Sequence, residues 1–211
     1  MVFEKEFTRY GFDDIVAYSG TDITDAMMEE SFSVSGKFFA AQYQINESKI
    51  RDIVKKYGQM CFIIFDKTDK KVIGYSFWVP IKTSVFVEFI KNQEMLMFIE
   101  EEHCSGFGEP VVNLFQAGEA FLPGYDLDNL HKALEDIFQS KVLVLAKRGT
   151  KIGYVAIEAV CKYDEDYLVA NLGIKRKIKK GNSVFYCDYY APDVVYARSR
   201  VVPELLEYYK K

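Results

Sequence analysis

Hydrophobic positions recur with a helical period in several segments of the chain. Between residues 46 and 57, Ile50, Ile53 and Val54 form one apolar stripe, which Asn46 can cap and Gly58 can end. In the longest segment, leucine, isoleucine and phenylalanine repeat at the same spacing from residue 127 onwards. The pattern predicts helices over residues 22–32, 46–57, 83–102, 127–148, 162–173 and 201–211.

Runs of β-branched and aromatic residues alternate with these helices. Residues 61–81 hold two such runs on either side of the polar segment DKTDKK, which predicts a hairpin. Gly74 inside the second run is typical of a bulge or of a close backbone approach. Further strands are predicted over 111–122 and 154–160, and a second hairpin over 174–190. Since no linker or repeat divides the chain, residues 1–211 are predicted to form a single α+β domain with a mixed sheet.

The composition narrows the classes of function. Hydrophobic residues make up 49% and charged residues 27% of the 211 positions, which is ordinary for a globular protein. The net charge of −4 argues against a nucleic-acid-binding surface. The sequence has no run of 18 apolar residues, and its first segment, MVFEKEFTRY, lacks the apolar core of a signal peptide. These features predict a soluble, cytoplasmic protein with neither a nucleic-acid partner nor a membrane partner.

Cysteine and histidine are too few and too scattered to predict a metal site. The four cysteines lie far apart in the sequence, and no two of them form a CxxC pair. The two histidines, His103 and His131, do not have the spacing of metal ligands. We therefore expect no metal, and we expect buried, reduced thiols at Cys61 and Cys187, which lie in apolar strand-like runs.

Four segments of the chain are similar to those of a known family. The hairpin end VIGYSFWVPI is similar to its second and third strands, and PIKTSVFVEFIKNQEM to an extension that follows the third strand. FLPGYDLDNLHKAL, residues 121–134, aligns without a gap to the motif V-x-P-x-Y-R-G-x-G-I-G-x-A-L, and YLVANLGIKRK to LYEKLGFKR. Together they resemble the GNAT superfamily of acyl-CoA-dependent N-acyltransferases.

The resemblance implies a GNAT-like fold and a co-substrate. The fold would be a mixed, mostly antiparallel sheet of about six to seven strands flanked by helices, with a splayed parallel pair formed by 111–122 and 154–160. The co-substrate would be acetyl-CoA or coenzyme A. The residues that the alignment places against it are Ala120, Phe121, Leu122, Asp126, Asn129, Leu130, His131 and Lys132.

The corner at residues 121–134 departs from the family motif where the cofactor pyrophosphate is expected. The motif's arginine is replaced by Asp126, and its glycines by leucine, asparagine and histidine. N–H groups at a helix N-terminus bind anions, and glycines let the backbone approach them closely. Asp126 and Asp128 oppose this binding, because each is negative and can cap the same N–H groups. One such charge would weaken binding about tenfold.

Two residues of this corner each allow two interpretations. His131 either donates a hydrogen bond to a cofactor phosphate or is a neutral histidine at the surface of the first helical turn. Lys132 either contacts the same phosphates or is a solvated helix lysine. The sequence alone does not decide between them.

Acylation of an amine needs a base, N–H donors for the thioester carbonyl and an acid for the thiolate. The resemblance implies that backbone N–H groups of the segment 120–122 are the donors. Glu119 and Glu158 lie on the two strands expected to be parallel, and each is either the base or an exposed strand glutamate. The family's acidic tyrosine is replaced by Val169. Tyr167 is the alternative acid, or else a structural tyrosine.

These features favour an acyl-CoA-dependent N-acetyltransferase that acts on a primary amine of a small molecule or a protein. The altered corner supports a second interpretation, a catalytically inactive GNAT-fold binding protein that has lost normal acetyl-CoA binding. An unrelated α+β binding domain is the third. The sequence does not identify the acceptor, and it leaves the oligomeric state open, with a homodimer among the possibilities.

Overall fold

The computed structural model of the chain describes residues 1–38, 47–92, 99–159, 177–180, 183–189 and 202–209. For residues 38, 89–92, 158–159, 177–180, 183–189 and 202 it describes the backbone alone. The helix predicted over 162–173, which contains Tyr167 and Val169, lies outside the described residues. So does Asn46, the predicted cap of the second helix.

The residue contacts group the chain into two compact units, each discontinuous in sequence. The first unit comprises Met1–Val79, Met97–Cys104 and Ala117–Phe138, and the second comprises Pro80–Leu96, Ser105–Gln116 and Gln139–Lys211. That residues 1–211 form a single domain stays a prediction.

The first unit starts with a short strand and helix and contains the predicted hairpin. Its elements are β1 (Val2–Phe3), α1 (Lys5–Thr8), β2 (Ile15–Ser19), α2 (Asp25–Phe38), α3 (Glu47–Tyr57), β3 (Cys61–Asp66) and most of β4 (Lys71–Ile81). The apolar stripe predicted for α3 is buried, which confirms its period. Large side chains from β3 and β4, including Phe62, Ile63, Tyr75 and Phe77, form the centre of this unit.

The second unit contains the parallel strands and the C-terminal helix. Its elements are α4 (Thr83–Asn92), the first half of β5 (Val111–Phe121), the second half of α5 (Leu127–Lys147), β6 (Lys151–Ala159), β7 (Lys177–Lys180), β8 (Ser183–Tyr189) and α6 (Val202–Tyr209). The hydroxyl of Tyr209 on α6 accepts a hydrogen bond from the N–H of Ile152 on β6, 2.7 Å away. This contact attaches the last described helix to the sheet.

The described strands form one sheet in the order β1-β2-β3-β4-β5-β6-β8-β7. The pair β5–β6 is parallel, and β1–β2, β2–β3, β3–β4, β6–β8 and β7–β8 are antiparallel. The predicted α+β class with a mixed, mostly antiparallel sheet is confirmed. Eight strands of the described residues take part in it: the six that the sequence pattern predicts, together with β1 and β2.

The parallel ladder between β5 and β6 covers only part of each strand. It runs from Val111 opposite Lys151 to Gln116 opposite Ile157. Beyond it, β5 continues to Phe121, while the next residues of β6 pair with β8. The predicted parallel pair is therefore present, and its ladder ends before either strand does.

Candidate active site

The candidate site is built around the last residues of β5 and the start of α5, all within the first unit. Alternation along a strand places Glu119 and Phe121 on the same face of β5, with Ala120 on the other. The Glu119 side chain is about one-fifth exposed, at 22%, whereas Phe121 and Ala120 are buried. Glu119 is thus a carboxylate at the end of a buried strand, with limited access to solvent.

His131 lies against this face of β5. Its Nε2 is 3.2 Å from Oε1 of Glu119, a separation within the range of an N–H···O hydrogen bond. Its ring also packs edge-to-face on Phe121, with 5.0 Å between centroids and 88° between planes. The side chain is 8% exposed. His131 is therefore a buried residue of the strand–helix interface, and the ring nitrogen Nε2 faces Glu119.

Gly74 on β4 makes room for the Phe121 ring. The β3–β4 register shifts at this point, so that Ile64 lies opposite Gly74 and Phe65 opposite Val72. A Cβ added at Gly74 would lie 2.4 Å from Cδ1 of Phe121 and 2.8 Å from the carbonyl oxygen of Ala120. Both sequence predictions for Gly74, a bulge and a close approach, are confirmed.

The strand segment predicted to polarise a thioester carbonyl has one N–H group already engaged. The N–H of Leu122 donates to the carbonyl of Ile73 on β4 at 2.7 Å. Successive N–H groups of an extended strand point to opposite sides. The N–H of Phe121 therefore points away from β4.

The N-terminus of α5 is capped by the protein's own carboxylate. Oδ1 of Asp126 accepts the N–H of Asn129 at 3.1 Å, and Oδ2 accepts the side-chain amide of the same residue at 2.9 Å. The N–H of Leu130 donates to the Asp126 carbonyl at 3.0 Å. Lys132 is exposed, with Nζ 3.4 Å from Oδ1 of Asn129. The capping role predicted for this pair of aspartates is therefore confirmed for Asp126.

A hydrogen bond from Tyr125 connects the corner at residues 121–134 to the β3–β4 hairpin. Gly124 before Tyr125 has a φ of +101°, which turns the chain between β5 and α5. The Tyr125 hydroxyl donates to Oδ2 of Asp66 at 2.8 Å. Oδ1 of Asp66 accepts the N–H groups of Thr68 and Asp69. Burial alone would raise the pKa of Asp66, but these three hydrogen bonds and the charge of Lys71 together outweigh it and lower that pKa below 3.8.

Comparison with solved structures identifies this arrangement of strands and corner. GphF, titled a GNAT-like decarboxylase in complex with isobutyryl-CoA, aligns with a TM-score of 0.55 and 12% identity, over 82% of this chain and 98% of its own. FeeM, an N-acyl amino acid synthase from uncultured soil microbes, aligns with a TM-score of 0.54 and 13% identity, over 90% and 96%. The chain has the GNAT fold.

A third solved structure agrees on the fold, whereas sequence comparison gives no match. Ard1 from Thermoplasma volcanium aligns with a TM-score of 0.51 and 10% identity, over 84% of this chain and 99% of its own. No protein-family model and no curated protein matches the sequence. At identities this low, the three structures show the GNAT fold alone. The chemistry has to be inferred from the residues of the site.

The other predicted site residues are placed only in part. On this GNAT fold the backbone of Glu158 pairs with Phe185 of β8, and its side chain is not described. Tyr167 lies outside the described residues. Among the residues whose side chains are described, no group of three or more histidine, cysteine, aspartate or glutamate side chains is arranged to hold a metal ion. None of the described helices is long and apolar enough to span a membrane.

Sequence reasoning missed two buried hydroxyl groups in the same unit. Those of Tyr75 on β4 and Ser35 on α2 are both buried neighbours, and neither makes a hydrogen bond of ordinary geometry within the described part of the chain. Burial raises the pKa of Tyr75 to about 12, the neighbouring Ser35 hydroxyl opposes the increase, and the charge of Glu119 adds to it. Tyr75 is therefore a neutral hydroxyl at neutral pH. In the sequence, Tyr75 is marked only as an aromatic residue within a strand-like run, and that pattern predicts a core position and not a functional one.

Proposed function

We propose that the protein is an acyl-CoA-dependent N-acyltransferase that transfers an acetyl group to a primary amine of a small molecule or a protein. The observation that carries the proposal is the sheltered carboxylate of Glu119 at the end of β5, in contact with His131. A base in this position meets the first requirement of amine acylation. The GNAT fold supports it, since one structural neighbour is titled an N-acyl amino acid synthase and another contains isobutyryl-CoA.

The proposed reaction assigns each proton and bond to a group. The ammonium of the acceptor loses a proton to the Glu119 carboxylate, and the amine lone pair then attacks the thioester carbonyl. The N–H of Phe121 stabilises the oxyanion that forms. The C–S bond breaks as the tetrahedral intermediate collapses, so that the thiolate of coenzyme A leaves and the amide remains. A proton from the attacking nitrogen neutralises the thiolate.

A two-part experiment tests this function. Calorimetry with acetyl-CoA measures donor binding, and release of free thiol over a panel of primary amines measures turnover. We expect binding, turnover of at least one amine, and a loss of about 100-fold or more in kcat for Glu119→Gln. No binding at millimolar acetyl-CoA, or full activity of Glu119→Gln, would remove the proposal.

One observation favours a second candidate function, a catalytically inactive GNAT-fold protein that binds a different ligand. The Asp126 carboxylate occupies N–H groups at the α5 N-terminus where a pyrophosphate is expected. A protein of this kind would bind neither acetyl-CoA nor coenzyme A tightly. Turnover of acetyl-CoA with any amine of the panel decides against it.

A further inference from the structure

The orientation of His131 is set by contacts on two sides of its ring. Glu119 lies 3.2 Å from Nε2, and the Phe121 ring packs against it edge-to-face. Phe121 is in turn held by its approach to Gly74, where not even a methyl group would fit. Since Glu119 and Phe121 are on one face of β5, the histidine ring spans two successive side chains of that face.

The contact with His131 also restricts the side-chain torsions of Glu119. A glutamate side chain at a strand end has several rotamers, each of which places its carboxylate at a different point. A ring nitrogen held against one oxygen selects among these rotamers. Placement of a catalytic group within about 1 Å affects rate by on the order of 100-fold.

The position of His131 in the aligned motif belongs to a glycine, which has no side chain to reach back to the strand. The contact with Glu119 is therefore a feature of this chain, and it turns the imidazole inward from the corner where a phosphate is expected. We propose that His131 is a positioning residue for Glu119, which holds the carboxylate through the contact between Nε2 and Oε1. This inference rests on the proposed N-acyltransferase function.

Steady-state kinetics of four variants test the role. His131→Leu removes the N–H group, whereas His131→Gln can place an amide N–H near the same point. We expect His131→Leu to lower kcat by about 10- to 100-fold with KM changed less than about threefold, and His131→Gln to recover most of the loss. In a Glu119→Gln background, His131→Leu should change kcat less than about twofold, because the two residues act as a unit.

A spectroscopic measurement gives a readout that needs no turnover. The chain has two histidines, so His103→Gln leaves the His131 imidazole as the only one in the NMR spectrum. We expect an exchange-protected Nε2–H proton signal from His131, which Glu119→Ala moves or abolishes. His103→Gln is also the matched control for activity, since His103 lies in the turn Glu101–His103 and is not one of the proposed site residues.

The outcomes separate the two claims. Wild-type protein that acylates no amine, or a fully active Glu119→Gln, removes the proposed function. Turnover that is unchanged in a folded His131→Leu variant overturns the positioning role and leaves the function standing. The positioning role is also overturned if His131→Leu and His131→Gln lower kcat equally, or if the losses in kcat multiply in the double variant. An Nε2–H signal that Glu119→Ala leaves unchanged overturns it as well. Circular dichroism and thermal melting of each variant show whether it is folded.

Discussion

The carboxylate of Asp126 accepts the backbone N–H of Asn129 in the first turn of α5, with 3.1 Å between Oδ1 and N. Its second oxygen accepts the side-chain amide of Asn129 at 2.9 Å. The N-terminus of a helix attracts anions through these N–H groups and the helix dipole. A pyrophosphate at this corner would therefore compete with a negative group that the chain itself supplies.

Replacing Asp126 with arginine should tighten coenzyme A binding. The substitution removes one negative charge, adds a positive one and frees the Asn129 N–H, which together correspond to roughly a tenfold lower Kd. It should also destabilise the fold by about 1 kcal/mol, because the helix cap is lost. Calorimetry with coenzyme A and urea unfolding measure the two effects.

Asp128→Arg is the matched control for that experiment. Asp128 is exposed on the first turn of the same helix, and it is not the carboxylate that binds the Asn129 N–H. Its substitution changes the charge by the same amount and leaves the Asp126 cap in place, so that its effect on Kd should be the smaller of the two. A dissociation constant for Asp126→Arg that is equal to or higher than that of the wild type would contradict the competition.

Gly74→Ala should disturb the site from the neighbouring strand. Its Cβ would overlap the Phe121 ring and the Ala120 carbonyl, and the backbone oxygen cannot move aside cheaply. Overpacking of this kind costs about 1–3 kcal/mol of unfolding free energy. Gly108→Ala, where a new Cβ meets no atom within 4 Å, should change stability by less than about 0.5 kcal/mol. Equal unfolding free energies for the two variants would show that the close approach is not sterically limiting.

A fall in pH should weaken the hydrogen bond between the Tyr125 hydroxyl and the Asp66 carboxylate. The folded-state pKa of Asp66 is held below 3.8, so its hydrogen bonds stabilise the fold fully above that pH and lose effect as pH falls through the folded value. Tyr125→Phe removes one of these bonds and should cost about 1 kcal/mol at neutral pH. The difference between the variant and the wild type should shrink below pH 3.8. Urea unfolding at several pH values measures it, and a difference that grows as the pH falls below 3.8 would disprove this origin.

Removing the Tyr75 hydroxyl should be neutral or stabilising. A buried polar group without a partner carries a desolvation cost of about 1–3 kcal/mol, and phenylalanine keeps the packing without it. The ring of Tyr75 packs on Phe77 with 4.7 Å between centroids, a contact that phenylalanine retains. The expected gain for Tyr75→Phe is up to about 1 kcal/mol in thermal or urea unfolding. A loss of 1 kcal/mol or more would reveal a partner of the hydroxyl.

Features set by near neighbours in the sequence were predictable. The period of α3 and α5 follows from which side chains share a helix face, and the Asp126 cap involves residues three apart. The β3–β4 hairpin and Gly74 follow from strand runs around a polar turn. In contrast, β2 is buried on both faces and has no alternation to reveal it, and β1 has only two residues.

The sequence by itself determined most of the described elements, though not β1 and β2, because capping, periodicity and turn chemistry act over a few residues. It also placed Glu119 at a strand end and His131 in the first turns of a helix. Only the tertiary structure decided that these two side chains meet, since the contact depends on the packing of α5 against one face of β5 and on the space that Gly74 leaves. Direction and burial of a side chain are properties of packed surfaces, and no local pattern along the chain encodes them.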